Sequence, residues 1–254
     1  MNRTKIHWLI GNNLPKHLAI IEAVPGVGNV GKLVADGLIK KHQSKTLAWI
    51  LHPDLPPHST LSEEGLMTPP KIEICAVLLP KNKTIIVIRG DVQPITATGQ
   101  YEVSEEILNL AKNNDTPQLL VLAGLTAGIE NKDIHVVCAN SKVRKTLESN
   151  DIPVSKTQPK DGMIGIAGLI VSLSPLYDVP AIGLIADTIG ASADILAADR
   201  LSSWIEGALD IPLDLDLDST KETAKRIMDA INVTNSIDDL VNSSETDVSS
   251  DFYA

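Results

Sequence analysis

The residues Gly26-Val27-Gly28-Asn29-Val30-Gly31 follow an aliphatic run and precede a helical pattern. In that setting a G-x-G-x-x-G turn can cradle a pyrophosphate, because glycines let the backbone approach and the helix N-terminus presents free N–H groups to an anion. Gly26, Gly28, Asn29 and Gly31 are therefore the candidate ligand-binding residues. The ribose-binding acid such a site wants at the end of the second strand is displaced, since that strand ends Leu51-His52-Pro53-Asp54. A tight strand-to-helix turn, with glycines only permitting close packing, accounts for the same motif and is the preferred reading.

Other chemistry-bearing residues are sparser. Arg89-Gly90-Asp91 at a strand end suggests an ion pair shaping a loop, with a ligand contact as the alternative. The six histidines show no metal-ligand spacing, and the row Asp214, Asp216 and Asp218 lacks the glycine and bidentate glutamate of a calcium loop. It reads as an exposed connector. No Gly-x-Ser-x-Gly elbow and no Gly-x4-Gly-Lys-Ser/Thr loop is present. Neither catalysis nor a metal or cofactor is expected.

The chain closes on Phe252-Tyr253-Ala254, and Phe252 is its only phenylalanine. A carboxylate, a tyrosine ring with its hydroxyl, and an apolar neighbour together make a peptide suited to capture in a partner's pocket. A hydrophobic residue followed by tyrosine at the penultimate position arises by chance in roughly 0.5% of chains of this composition, so accident is a poor account. The preceding stretch from Val233 carries Asp238, Asp239, Glu245, Asp247 and Asp251 and no lysine or arginine. It is too polar to bury a core and is expected to be disordered, with a reach of roughly 25 Å for about twenty residues. Residues 1–232 then form one folded domain and 233–254 an acidic tail.

The elements that must position these residues alternate. Strands are expected at His17–Val24, Thr46–Leu51, Ile72–Leu79, Thr84–Arg89, Gln118–Leu125, Ile134–Ala139 and Ala181–Ala186, several continuously apolar as in strands covered on both faces. Helices are expected at Asn29–His42, Ser104–Lys112, Ser141–Ser149, Asp161–Leu176 and Ser192–Leu209. A last one opens at the capping box Ser219-Thr220-Lys221-Glu222 and runs to about Ile231. Asp161–Leu176, apolar all round with Gly162, Gly165 and Gly168, reads as packed closely against the sheet. The runs Ile72–Leu79 and Thr84–Arg89 form a hairpin across Pro80–Lys83. The fold class is thus α/β, a mixed sheet flanked by helices.

Composition narrows the class further. The chain has 254 residues, 43% hydrophobic but 3% aromatic, with net charge −10. Its core must be aliphatic, and the absence of a basic patch with interleaved aromatics argues against nucleic acid. Cys75 and Cys138 lie in apolar runs and read as free thiols in a reducing compartment. Without a signal peptide or a membrane-length apolar run, a soluble cytoplasmic protein is expected.

Glu22-Ala23-Val24-Pro25-Gly26-Val27-Gly28-Asn29-Val30-Gly31, the strand end Arg89–Pro94, the glycine-spaced Gly162–Gly168 and Asp187-Thr188 followed by Ala193–Ala198 resemble, in that order, the proteasome assembly chaperone family in its archaeal homologues. The likeness covers roughly residues 5–232. It implies a Rossmann-like sheet related to nucleoside phosphorylases, a homo-oligomeric body and no enzymatic activity. The tail resembles the hydrophobic–tyrosine–any-residue motif of proteasome activators and some assembly chaperones. By that resemblance Phe252, Tyr253 and the Ala254 carboxylate would enter pockets between adjacent α-subunits of the core particle. The expected function is ATP-independent chaperoning of proteasome assembly or activation of the core particle. The alternatives are a nucleotide- or phosphate-binding protein using Gly26–Gly31, or a scaffold whose tail binds another partner.

Overall fold

Short strands of isoleucine, leucine and valine set the architecture of the computed structural model, which describes residues 2–62, 64–190, 192–215 and 217. Within Met1–Leu215 the elements follow in order: β1 (Lys5–Trp8), β2 (Ile20–Ala23), α1 (Val30–Lys41), β3 (Gln43–Leu51), β4 (Thr60–Leu61), β5 (Met67–Thr68), β6 (Ile72–Leu79), β7 (Lys83–Gly90), α2 (Ala97–Asn113), β8 (Leu119–Thr126), β9 (Ile134–Val137), α3 (Ser141–Ser149), α4 (Ile166–Leu173), β10 (Ala181–Thr188) and α5 (Ile195–Leu209). The expected last helix, its capping box and the tail with Phe252, Tyr253 and Ala254 lie outside the described residues.

Eight strands form one mixed sheet in the order β1-β3-β6-β7-β2-β8-β10-β9, while β4 and β5 pair separately. The block β7-β2-β8-β10 is parallel, and β6–β7 is the expected antiparallel hairpin, its register running from Ile72↔Gly90 to Leu79↔Lys83. The chain leaves β2 through α1 for β3 on one side, whereas β8 leads to β10 on the other. The carboxyl ends of β2 and β8 therefore mark the place where the winding reverses, which is where open α/β sheets hold their sites.

Every residue of β2 and β10 is buried, as continuous apolar runs require when both faces are covered. On one face α1 packs beside α5 and on the other α2 packs beside α4. A hydrophobic core lies under α2 and α4, where Val103, Ile107, Leu108, Ile166 and Ile170 meet Ile20, Ile74, Ile86, Ile88 and Val121.

Several expectations need correction. β1, β4 and β5 were not anticipated: β4 and β5 have two residues each, and β1, though Lys5-Ile6-His7-Trp8 alternates, has only four. α2 begins at Ala97 rather than Ser104, because Thr96 caps it by accepting the Gly99 N–H at 2.9 Å. The helix expected from Asp161 starts only at Ile166, since Gly162 and Gly165 have φ of 77° and 82°, outside helical geometry. The helix packs on β8 and β10 as expected, whereas Ile164 before it and Leu176 after it are exposed among the described residues. The thiols are free, Cys75 buried and Cys138 half-buried. From Ile211 to Leu215 the chain has no regular structure, and although Asp214 is exposed, Ile211, Leu213 and Leu215 are buried. No described helix is long and apolar enough to cross a membrane.

Candidate functional site

The glycine turn sits where sequence reasoning places it, after β2 and at the start of α1. Val27–Asn29 form one 3-10 turn, and Gly28 and Asn29 both have positive φ, 64° and 48°. What surrounds the turn is protein. A Cβ on Gly28 would stand 2.5 Å from Thr188 Oγ1, and one on Gly31 2.7 Å from the Leu122 carbonyl oxygen. From the opposite side, a Cβ on Gly124 would fall 2.2 Å from the Val27 carbonyl oxygen. The turn is thus pressed onto the ends of β8 and β10, and only Gly26 of the motif's first pair has open space beside it.

The loop after β10 fastens the same turn. Asp194, the N-cap of α5, accepts the Ala197 N–H on Oδ1 at 2.9 Å and the Thr188 hydroxyl on Oδ2 at 2.7 Å. Its own N–H donates to the Gly28 carbonyl at 2.9 Å, and the Asn29 amide donates to the Ser192 carbonyl at 2.7 Å. Asp194 is buried. Close packing accounts for Gly28 and Gly31.

Under the opposite face lies a residue to which sequence reasoning gave no role. Glu22 is fully buried in β2 between Ile88 of β7 and Val121 of β8. Its Oε1 accepts the Val24 N–H at 3.3 Å, and its Oε2 has no partner among the described residues. Burial pushes the carboxyl up to about 8, offset only in part by the Val24 hydrogen bond. At neutral pH Glu22 is a neutral acid. Nearby in the fold, Gln93 donates its amide N–H to the Pro25 carbonyl while its Oε1, facing Gly165, is unpartnered among the described residues. The signal for Glu22 was a lone acid within Leu18-Ala19-Ile20-Ile21-Glu22-Ala23-Val24.

Arg89 and Asp91 do not pair with one another. Arg89 donates to Asp36 of α1 at 2.7 Å and to Glu73 of β6 at 2.8 Å, while Lys32 bridges Asp36 at 2.6 Å and Asp91 at 3.0 Å. The charges clamp α1 to the sheet. Two histidine pairs were also invisible in sequence because their partners are distant: His52 with Glu102 at 2.6 Å, and His135 with Asp187 at 3.0 Å. Glu102 and Asp54 share Arg3, which reaches both at about 3 Å. The His52 hydrogen bond first, then Arg3, holds the Glu102 carboxyl below its usual range, and Arg3 does the same for Asp54.

Among the described residues the polar groups around the turn bond to protein and hold elements together. The fold is shared with Pyrococcus furiosus PbaB, described as an archaeal proteasome activator (TM-score 0.77, 20% identity, 92% of this chain and 100% of that one). It is also shared with Pyrococcus furiosus PbaA, described as an archaeal homolog of proteasome-assembly chaperone (TM-score 0.69, 22% identity, 95% and 98%). In sequence the chain is 28% identical over 181 residues to the uncharacterized protein MJ1210 of Methanocaldococcus jannaschii, spanning 70% of this chain and 69% of that protein. The match to the PAC2 family runs over residues 20–233, and the chain belongs to that family.

Proposed function

We propose that this protein is a proteasome assembly chaperone or activator homologue that docks on the α-ring through Phe252-Tyr253-Ala254 and works without ATP. The observation that carries the reading is that terminal segment, set behind an acidic stretch without lysine or arginine on a PAC2 body. The shared fold with PbaB, an archaeal proteasome activator, and PbaA, an archaeal homolog of proteasome-assembly chaperone, supports it.

The physical logic is capture of a short peptide. The Ala254 carboxylate would meet a lysine in a pocket between α-subunits, the Tyr253 ring would fill a slot and its hydroxyl would bond the wall, and Phe252 would add apolar burial. A single such contact is weak. Several copies of the body joined together would dock several tails at once, multiplying affinity by effective concentration rather than by new contacts.

The test is co-purification of archaeal α-subunits with the full chain and with a chain lacking 252–254. The expected result is retention by the full chain and loss in the truncated one, with the body still folded. Equal retention overturns docking through the terminus. Recovery of free α-subunits assigns chaperoning, and recovery of assembled core particles assigns activation.

A further inference from the structure

Glu22 and Gln93 leave two buried polar atoms with complementary needs. Ile20 and Val24 belong to the core under α2 and α4, and side chains alternate along a strand, so Glu22 points to that same face. As a neutral acid it carries an O–H, and its Oε2 meets no acceptor among the described residues. Gln93 Oε1 is an acceptor without a donor among them. The two side chains converge on one stretch of chain. Glu22 Oε1 accepts the Val24 N–H, and the Gln93 amide donates to the Pro25 carbonyl. From there Gln93 Oε1 faces the start of α4, since a Cβ on Gly165 would stand 3.2 Å from it. A hydrogen bond from Glu22 Oε2–H to Gln93 Oε1, direct or through one enclosed water, satisfies both atoms.

The elements around the carboxyl bring it no counter-charge. β8 and α4 contain no ionisable residue. On β7, Lys83 is exposed at the far end, and Arg89 is engaged by Asp36 and Glu73. On α2, Glu102 pairs with Arg3 and His52, while Tyr101, Glu105, Glu106 and Lys112 lie outside the buried face of Val103, Ile107 and Leu108. In the connecting segments Asp91 pairs with Lys32, and Lys160 and Asp161 are exposed. Once ionised, Glu22 is a buried carboxylate with no cation and a second acceptor before it, so water must reach it. On the sheet side its neighbours are strands bonded into ladders. On the helix side the cover is the entry to α4. Gly162 and Gly165 there have positive φ, and Gly165 caps the helix without a side-chain bond. α2 reaches this entry through Ser104, whose hydroxyl donates to the Ile166 carbonyl at a long 3.5 Å.

We infer that protonated Glu22 is a catch that holds the entry to α4 closed through Gln93, and that its ionisation releases residues 162–169 as a local unit. Gly162, Met163, Gly165 and Leu169 wall a groove of about 700 Å³, and Ile164 beside them is 92% exposed. The proton on Glu22 thus sets the shape of that surface. The closed form keeps the proton up to about 8, whereas the hydrated carboxyl of the open form has the ordinary value of 4.5. Opening therefore becomes about ten-fold more favourable per pH unit between those values and levels off above them. The open form is a sub-global state, with the sheet still folded.

The experiment follows hydrogen exchange of the full chain by mass spectrometry from about pH 5.5 to about 9, corrected for the intrinsic pH dependence of amide exchange. The Leu169 N–H, bonded to the Gly165 carbonyl at 3.1 Å, reports the entry to α4, and β8 reports the sheet. In the wild type, protection at Leu169 is expected below that of β8, falling about ten-fold per pH unit and levelling off above about 8. Glu22→Gln cannot ionise but still offers Gln93 a donor, so its protection should stay flat with pH. Gln93→Met should lower protection at Leu169 about two- to ten-fold at every pH. Wild-type protection at Leu169 that is flat with pH, that equals that of β8 throughout, or that falls equally in Glu22→Gln overturns the catch. Unchanged protection in Gln93→Met overturns it as well.

Discussion

Gly28 and Thr188 approach so closely that a methyl group on the glycine would lie 2.5 Å from the threonine hydroxyl. The hydroxyl cannot swing aside freely, because it donates to Asp194 Oδ2 at 2.7 Å. The turn's glycine therefore serves contact between α1, β10 and the cap of α5.

Gly28→Ala combines that clash with a φ of 64° that suits glycine. The expected cost is roughly 2–4 kcal/mol, read from urea unfolding. Thr188→Ala in the same chain removes the clash and should recover part of the loss, leaving about 1 kcal/mol of backbone strain. Strict additivity of the two changes would contradict the packing account.

Glu22 makes stability depend on pH. The unfolded carboxyl ionises near 4.5 and the folded one near 8, so between those values the folded chain holds a proton that the unfolded chain has released. Stability should fall with rising pH across that window, by roughly 5 kcal/mol in total, and level off above about 8. Glu22→Gln should flatten the slope. Equal slopes in both proteins, measured by denaturant unfolding at several pH values, would refute the buried neutral acid.

The Arg3 contacts predict the opposite sign. Asp54 and Glu102 are held below their usual range, so their contribution is present above the ordinary carboxylate range and is lost as pH falls through the depressed values. Arg3→Ala should move both carboxyls upward in an NMR titration, Glu102 less because His52 still donates to it. Unmoved titrations would show that the contact is not populated in solution.

Tyr253→Ala should weaken α-ring binding nearly as much as removal of 252–254. One residue added after Ala254 should weaken it as well, because the carboxylate is displaced from its partner. Binding curves for the two variants that superimpose on wild type would exclude a carboxylate-anchored tyrosine.

Much of the fold was legible because β8 and β10 hold long apolar runs that burial on both faces demands, and Ile72–Leu79 and Ser141–Ser149 appear with the expected bounds. Helix starts were less legible. Thr96 caps α2 through a single side-chain bond, and Gly162 and Gly165 delay α4, both local effects that periodicity does not register. The motif Gly26–Gly31 was visible but its purpose was not, because Leu122 and Thr188 come from strands about 90 and 160 residues away. Glu22 was visible as a misfit, and only the sheet order places it between two apolar neighbours.

The two outermost strands, β1 and β9, have four residues each, about half the length of the strands they cover. Past β1, the Leu47 carbonyl of β3 is taken by the N–H groups of Leu9 and Ile10 at 2.8 and 3.1 Å, and the exposed Lys45 follows. A foreign strand seeking a backbone ladder meets only a few rungs and, beside β1, the charge of Lys45. Unpaired strands of other chains are a hazard to any exposed sheet edge. This sheet limits that trap by its outline.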